Sequence, residues 1–349
     1  MLTVTSLLVW LSSFLVSAQQ VRVRETAGLA RLQEPVVVQI WGQPRTLYVT
    51  IGANQTRVFP VASLGPSDSV RVVRQPGQVG LLVENSVFVA DLTPRSLPDG
   101  LEDSGMLRAL TFKLAGVTLR RTQNRMHWAP SFQRAGARSY TSMATWTPVQ
   151  LHHLDAFPES VTLQLQGFHR DYPEIRLRAQ YQFFAHVPYF LFESELQIVN
   201  PIEMFWLRNQ EMTMDDFFTH CAWPRAGGGV QAVTFEQRKP LLEKEPLAVD
   251  LPWIAFYHAD RGYGYGAVVL SYTASQTAQP KTSINDGANN GKYWDRHLIS
   301  QVKTPLKAGD RYTEKTAYVL FRTRRGSPLG EFLDWERRLR NPLQVEVLP

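Results

Sequence analysis

The chain has 349 residues, 44% hydrophobic and 19% charged, with 22 Gly and 22 Pro. Length and apolar fraction exclude a disordered or collagen-like chain and fit one large or two to three small domains. Lys and Arg number 37 against 31 Asp and Glu, a net charge of +6, which permits an anionic partner without indicating nucleic acid.

Leu7 to Val16 is a short apolar run, followed by Ser17-Ala18-Gln19. Small residues at Val16 and Ala18 fit cleavage of a signal peptide over 1–18, so a secreted or periplasmic protein is expected. The run falls short of the ~20 apolar residues of a bilayer span, and no later segment reaches that length. Cys221 is the single cysteine. It excludes both a disulfide framework and a Cys-rich zinc site, and its aromatic neighbours suit a buried hydrophobe.

From residue 19 to 100 short strand candidates recur at Pro35–Ile40, Arg45–Ile51, Thr56–Val61, Ser69–Val73 and Val79–Val83. Gly and Pro separate them, the pattern of a small β-barrel. The turn-rich passage 93–100 is the expected domain boundary. Ser104 to Leu154 then holds no Asp or Glu, but carries Arg108, Arg120, Arg125, Arg134 and Arg138 interleaved with Trp128, Tyr140 and Trp146. Arginine forks grip planar carboxylates and aromatic faces stack on sugar rings, so this stretch suits an acidic saccharide such as a uronate.

Long alternating runs follow at Val161–Gln166, Glu174–Phe183 and Phe190–Ile198, with further strands at Gly266–Tyr272 and Thr316–Phe321. Period-two alternation predicts a broad antiparallel sheet with one face on a core. Glu193 and Glu195 share the solvent face. Beyond these strands, Arg208 and Asn209 could bind a carboxylate and His220 could act as a base. The acids Glu211, Asp215 and Asp216 could instead hold a hard cation. The segment Ile284–His297 reads as a polar loop carrying Asn289, Tyr293, Trp294, Arg296 and His297. Tyr293 and His297 would share a face if it formed a helical turn, and a Tyr/His pair beside Arg296 suits acid–base work. One helix is predicted from Pro328 to Asn341-Pro342, with Leu329, Phe332, Leu333 and Leu339 on its apolar side. Dinucleotide, phosphate-loop, zinc-protease and nucleophile-elbow motifs are all absent.

Residues Val23 to Val36 contain Glu25, Gly28, Arg31 and Glu34-Pro35-Val36, an E-x-x-G-x-x-R-x-x-E-P-V pattern. This resembles the opening of exo-acting rhamnogalacturonan lyase-like proteins. The resemblance implies a small β-barrel followed by a β-sandwich similar to the galactose mutarotase superfamily. The larger lyases add a C-terminal helical toroid, which this sequence does not show, and none of their catalytic residues matches a position here.

The expectation is an all-β protein. A small β-barrel occupies 19–100, an antiparallel β-sandwich 101–326, and a capping helix with tail 327–349. The first functional expectation is an exported enzyme on an acidic polysaccharide, acting by β-elimination without a bound metal. Arg208, Asn209 or Arg296 would neutralise the uronate, His297 or His220 would take a proton, and Tyr293 would protonate the leaving oxygen. Trp294, Asn289, Arg125 and Trp128 would complete the saccharide contacts. The alternatives are a non-catalytic carbohydrate-binding or surface-structural module and, from fold alone, a sugar mutarotase or epimerase.

Overall fold

The computed structural model describes residues 19–348 except 41, 65–68, 75–80, 93–106, 121–125, 143–146, 158–159, 170, 214–216 and 288–290. The expected signal peptide, the passage 93–100, Arg125, Trp146, Asp215, Asp216 and Asn289 therefore lie outside the described residues. The chain forms two compact units, Met1–Gly65 with Leu343–Pro349, and Pro66–Pro342.

In the first unit, β1 (Gln20–Arg24) pairs antiparallel with β4 (Thr56–Pro60) and with the last strand, β24 (Gln344–Leu348). The hairpin β2 (Arg31–Ile40) and β3 (Gln43–Ile51) forms a second small sheet. Alternation buries Val21 and Val23 while Gln20, Arg22 and Arg24 face water. With Val38, Ile40, Leu47 and Val49 they make one apolar core. The E-x-x-G-x-x-R-x-x-E pattern proves to be a buried ionic staple. Glu25 accepts backbone N–H bonds from Ala27 at 2.9 Å, Gly28 at 3.0 Å and Asn54 at 2.8 Å. Arg31 reaches Glu25 at 3.2 Å and forks onto Glu34 at 2.7 and 2.9 Å. Gly28 takes the left-handed turn at φ +72° that this loop needs. Burial would raise the Glu25 carboxyl, but the backbone donors and Arg31 outweigh it and hold the group down at about 2.

The second unit begins with a five-stranded meander: β5 (Arg71–Arg74), β6 (Leu81–Glu84), β7 (Phe88–Asp91), β8 (Ala109–Phe112) and β9 (Val117–Arg120). Two larger sheets follow. One has β10 (Trp128–Arg134), β11 (Thr141–Ser142), β16 (Ile202–Thr213), β21 (Lys281–Gly287) and β22 (Gly291–Leu306), in the order β11-β10-β16-β22-β21. The other has β12 (Thr147–Phe157), β13 (Ser160–His169), β14 (Tyr172–Phe184), β15 (Tyr189–Ile198), β17 (His220–Pro224), β18 (Val230–Thr234), β19 (Trp253–His258), β20 (Tyr263–Ala274) and β23 (Arg311–Arg322). Its order is β12-β13-β14-β15-β23-β20-β19-β17-β18, antiparallel throughout. The expected long strands are β13, β14, β15, β20 and β23. Inward residues such as Tyr181, Phe190, Phe192 and Tyr318 pack ring on ring, with Tyr181 and Phe192 centroids 4.8 Å apart.

The expected C-terminal helix is α2 (Gly330–Arg340), with Phe332 fully buried against Trp253 and Phe321. A second helix, α1 (Phe235–Lys244), was not expected. Thr234 and Gln237 close a reciprocal capping box at its start, and Pro240 sits inside it.

Candidate functional site

Residues 284–287 and 291–297, expected to lie in a loop, belong to two paired antiparallel strands. β21 and β22 pair in register, Ser283 opposite Asp295 and Lys281 opposite His297. Extended backbone sends neighbours to opposite faces and spaces Tyr293 from His297 by about 13 Å, where a helical turn would stack them. Asp295 lies between the two on the same face. β16 adds Arg208 directly opposite His297.

This face carries a tight polar cluster. His297 Nε2 is 2.9 Å from Asp295 Oδ2, and Arg208 Nη1 is 3.2 Å from the same oxygen. The Ser283 hydroxyl donates to Asp295 Oδ1. The side chains of Asp295 and His297 are each only 4% exposed. Burial would raise the Asp295 carboxyl, but the His297 hydrogen bond and charge, Arg208 and Ser283 together lower it. Trp206 meets the His297 ring edge-on at 4.4 Å, and Tyr140, itself 54% exposed, stacks on Trp206 at 6.0 Å. His297 Nδ1 and the indole nitrogen of Trp206 are buried here without a hydrogen-bond partner among the described residues.

The opposite face of the same strands packs on the nine-stranded sheet and holds a second network. Arg296, fully buried, donates to Glu314 Oε1 at 2.9 Å and to the Leu251 carbonyl at 3.0 Å. Its guanidinium also lies 4.7 Å from the Tyr272 ring. Asn209 donates to Glu314 Oε2 and Ser194 Oγ, each at 3.3 Å, and accepts from Trp128 Nε1 at 2.9 Å. Gln210 donates to Thr316 at 2.8 Å and Tyr318 at 3.1 Å. Burial pushes Glu314 up to about 7, against the pull of Arg296 and Asn209. Trp294 is buried on this side as well. Glu314 thus links Arg296 to Asn209 inside the sandwich, with Trp128 bonded to Asn209 and the Trp294 ring 5.8 Å from the Arg296 guanidinium, all buried.

His220 belongs to the other sheet. Its ring stacks on Tyr257 at 4.8 Å and its Nδ1 lies 2.8 Å from the Thr219 hydroxyl. Burial lowers its pKa, Asp260 opposes this, and His258 adds to it. No hydrogen bond or ring contact joins His220 to His297 among the described residues. Cys221 is buried beside it, and burial pushes its thiol up to about 12, the state of a packed hydrophobe rather than a nucleophile.

No protein-family model matches the chain, and no curated protein matches it by sequence. Solved structures do match. An α-mannosidase from Enterococcus faecalis V583 superposes at TM-score 0.56 and 8% identity, over 95% of this chain and 46% of that one. A protein of glycosyl hydrolase family 38 from Enterococcus faecalis gives 0.56 at 9% identity, over 96% of this chain and 48% of that one. A galactose mutarotase-like protein from Lactobacillus casei gives 0.40 at 10% identity, over 69% of this chain and 99% of that one. The likeness is one of fold. This chain spans about half the length of the first two proteins.

Residue type alone picked out Arg208 and His297, and the structure joins them through Asp295. Tyr140, from the basic and aromatic stretch, and Trp206, two residues before Arg208, complete the cluster together with Ser283, which carried no sequence signal. A period-two reading of Tyr293-Trp294-Asp295-Arg296-His297 would have placed Asp295 with His297 and set Arg296 on the far side. Glu314, the partner of Arg296, carried no sequence signal beyond its place in an alternating strand.

Proposed function

We propose that this chain recognises carbohydrate, and that the Arg208–Asp295–His297 face takes an acidic saccharide. The observation that carries the reading is the exposed Tyr140 ring stacked on the half-buried Trp206, which in turn meets His297 of the polar cluster. An aromatic platform with an arginine at its margin fits a sugar ring bearing a carboxylate. The α-mannosidase and glycosyl hydrolase names of two proteins of similar fold agree with a carbohydrate ligand. Export through residues 1–18 belongs to the same proposal, and N-terminal sequencing of the exported protein tests it.

Binding without turnover is the first reading, because the three acid–base candidates do not converge. Tyr293 lies about 13 Å along the strand from His297, and His220 is on the other sheet. One observation favours a second reading, β-elimination: the Asp295 carboxylate holds His297 through Nε2, which leaves Nδ1 as a base. There the C5 proton would pass to Nδ1, a C4–C5 double bond would form, and the C4–O bond would break, its electron pair staying on the leaving oxygen, which takes a proton from water.

Titration of tetragalacturonate, followed by tryptophan fluorescence, tests the first reading. Wild type should bind, and Arg208→Ala should bind about tenfold or more weakly, the value of a lost charge-assisted contact. Equal affinity in the two proteins contradicts the assignment. Unsaturated-uronate absorbance that appears with wild type and vanishes in His297→Ala would establish the second reading.

A further inference from the structure

The outward face of the nine-stranded sheet is a separate surface. On β13, β14, β15 and β23 the side chains that point away from the core form cross-strand rows. One row runs Gln164, Gln180, Glu193, Lys315, and the next runs Gln166, Arg178, Glu195, Thr313. Neighbouring strands lie about 4.8 Å apart and successive rows about 7 Å apart, so the face is a grid of hydrogen-bonding groups.

The grid is held by its own contacts. Gln164 donates to Gln180 at 2.9 Å. Glu195, its side chain only 18% exposed, is bracketed by Arg178 at 3.4 Å and Arg311 at 3.0 Å. Lys315 lies 3.7 Å from Glu193. Thr313 and Thr273 share a hydroxyl–hydroxyl bond that extends the second row onto β20. A concavity of about 480 Å³ opens over the rows, with Gln164, Gln166, Arg178, Gln180, Glu193 and Glu195 around it. That volume is in the range of small-molecule sites, about 300–1,000 Å³.

Each primary amide presents two donors and an acceptor oxygen, each carboxylate accepts, and the guanidinium donates. A polyhydroxylated ring, with a donor and an acceptor at every hydroxyl, is their complement. The cations contact Glu193 and Glu195, so the groove offers hydrogen bonds rather than an uncompensated charge. In this it differs from the Arg208 face. We infer that the groove binds an uncharged oligosaccharide, at a site distinct from the acidic-saccharide face. The inference shares with the proposed function only the carbohydrate class of its ligand.

Calorimetry on the full chain with cellotetraose, mannotetraose and tetragalacturonate tests it. Wild type should bind a neutral tetramer. Gln180→Ala and Glu195→Gln should each weaken that binding by roughly five- to tenfold, the loss of one or two hydrogen bonds, with unchanged far-UV circular dichroism. Arg208→Ala should leave neutral binding within about twofold. Gln166→Ala, a smaller change on the same rim, serves if either groove variant is poorly folded. Failure of wild type to bind either neutral tetramer overturns the inference, as does full affinity in the groove variants. Either result leaves the Arg208 reading standing if tetragalacturonate still binds and Arg208→Ala abolishes it.

Discussion

Glu25 and Glu314 are both buried acids, yet their surroundings drive them in opposite directions. Burial opposes ionisation at each. At Glu25 three backbone N–H groups and Arg31 overcome it and hold the carboxyl at about 2, below its ordinary 4.5. The folded state therefore favours the ionised form. That stability is complete above about pH 4.5 and drains away as pH falls toward 2. At Glu314 burial prevails over Arg296 and Asn209, and the group sits at about 7. The unfolded chain releases this proton near 4.5 while the folded chain keeps it to about 7, so stability falls as pH rises through that window. Glu314→Gln should flatten this slope in urea titrations between pH 4.5 and 7; a slope unchanged from wild type contradicts the account. Arg31→Ala should destabilise the first unit by about 3 kcal/mol or more, because it leaves the Glu25 and Glu34 carboxylates buried without their shared cation. The urea midpoint of the first unit checks this, and a shift below about 0.5 kcal/mol would show that the staple contributes little.

Elements built on clean alternation were legible in sequence. β13, β14 and β15 alternate apolar and polar residues over most of their length, and the structure buries the apolar set there. The strand pair β21–β22 was not legible. Its Asn- and Gly-rich middle reads as a loop, and buried polar residues replace the apolar side of the alternation, with Asp295 and His297 on one face and Arg296 on the other. Such strands are specified by their partners rather than by hydrophobicity. α1 was missed for a related reason: only Phe235 is buried in it and Pro240 interrupts its ladder, although Thr234 and Gln237 gave the capping signal. α2 was found because Phe332 and its neighbours recur at helical spacing. Its docking depends on one close approach, since a Cβ on Gly266 would lie 2.3 Å from the Phe332 ring and 3.0 Å from the Ile254 carbonyl oxygen. Gly266→Ala should cost about 1–3 kcal/mol by overpacking. Pairing it with Phe332→Leu should recover part of that loss in the urea midpoint, and no recovery would place the strain elsewhere.

At the scale of the molecule, fold and function separate. The β architecture of this chain is similar to about half the length of an α-mannosidase and of a glycosyl hydrolase family 38 protein, and fold alone assigns no substrate. Sequence reading supplied the chemical class of the groups, basic and aromatic, but not their grouping. Arg208 and His297 are drawn together by Asp295 across two strands, while Arg296, equally basic, is consumed inside the sandwich by Glu314. The most direct test of the central claim is calorimetric titration of tetragalacturonate into wild type and Arg208→Gln at low and moderate salt. The account predicts binding by wild type that weakens with salt, and a loss of about tenfold or more in Arg208→Gln. Indistinguishable affinities for the two proteins would contradict it.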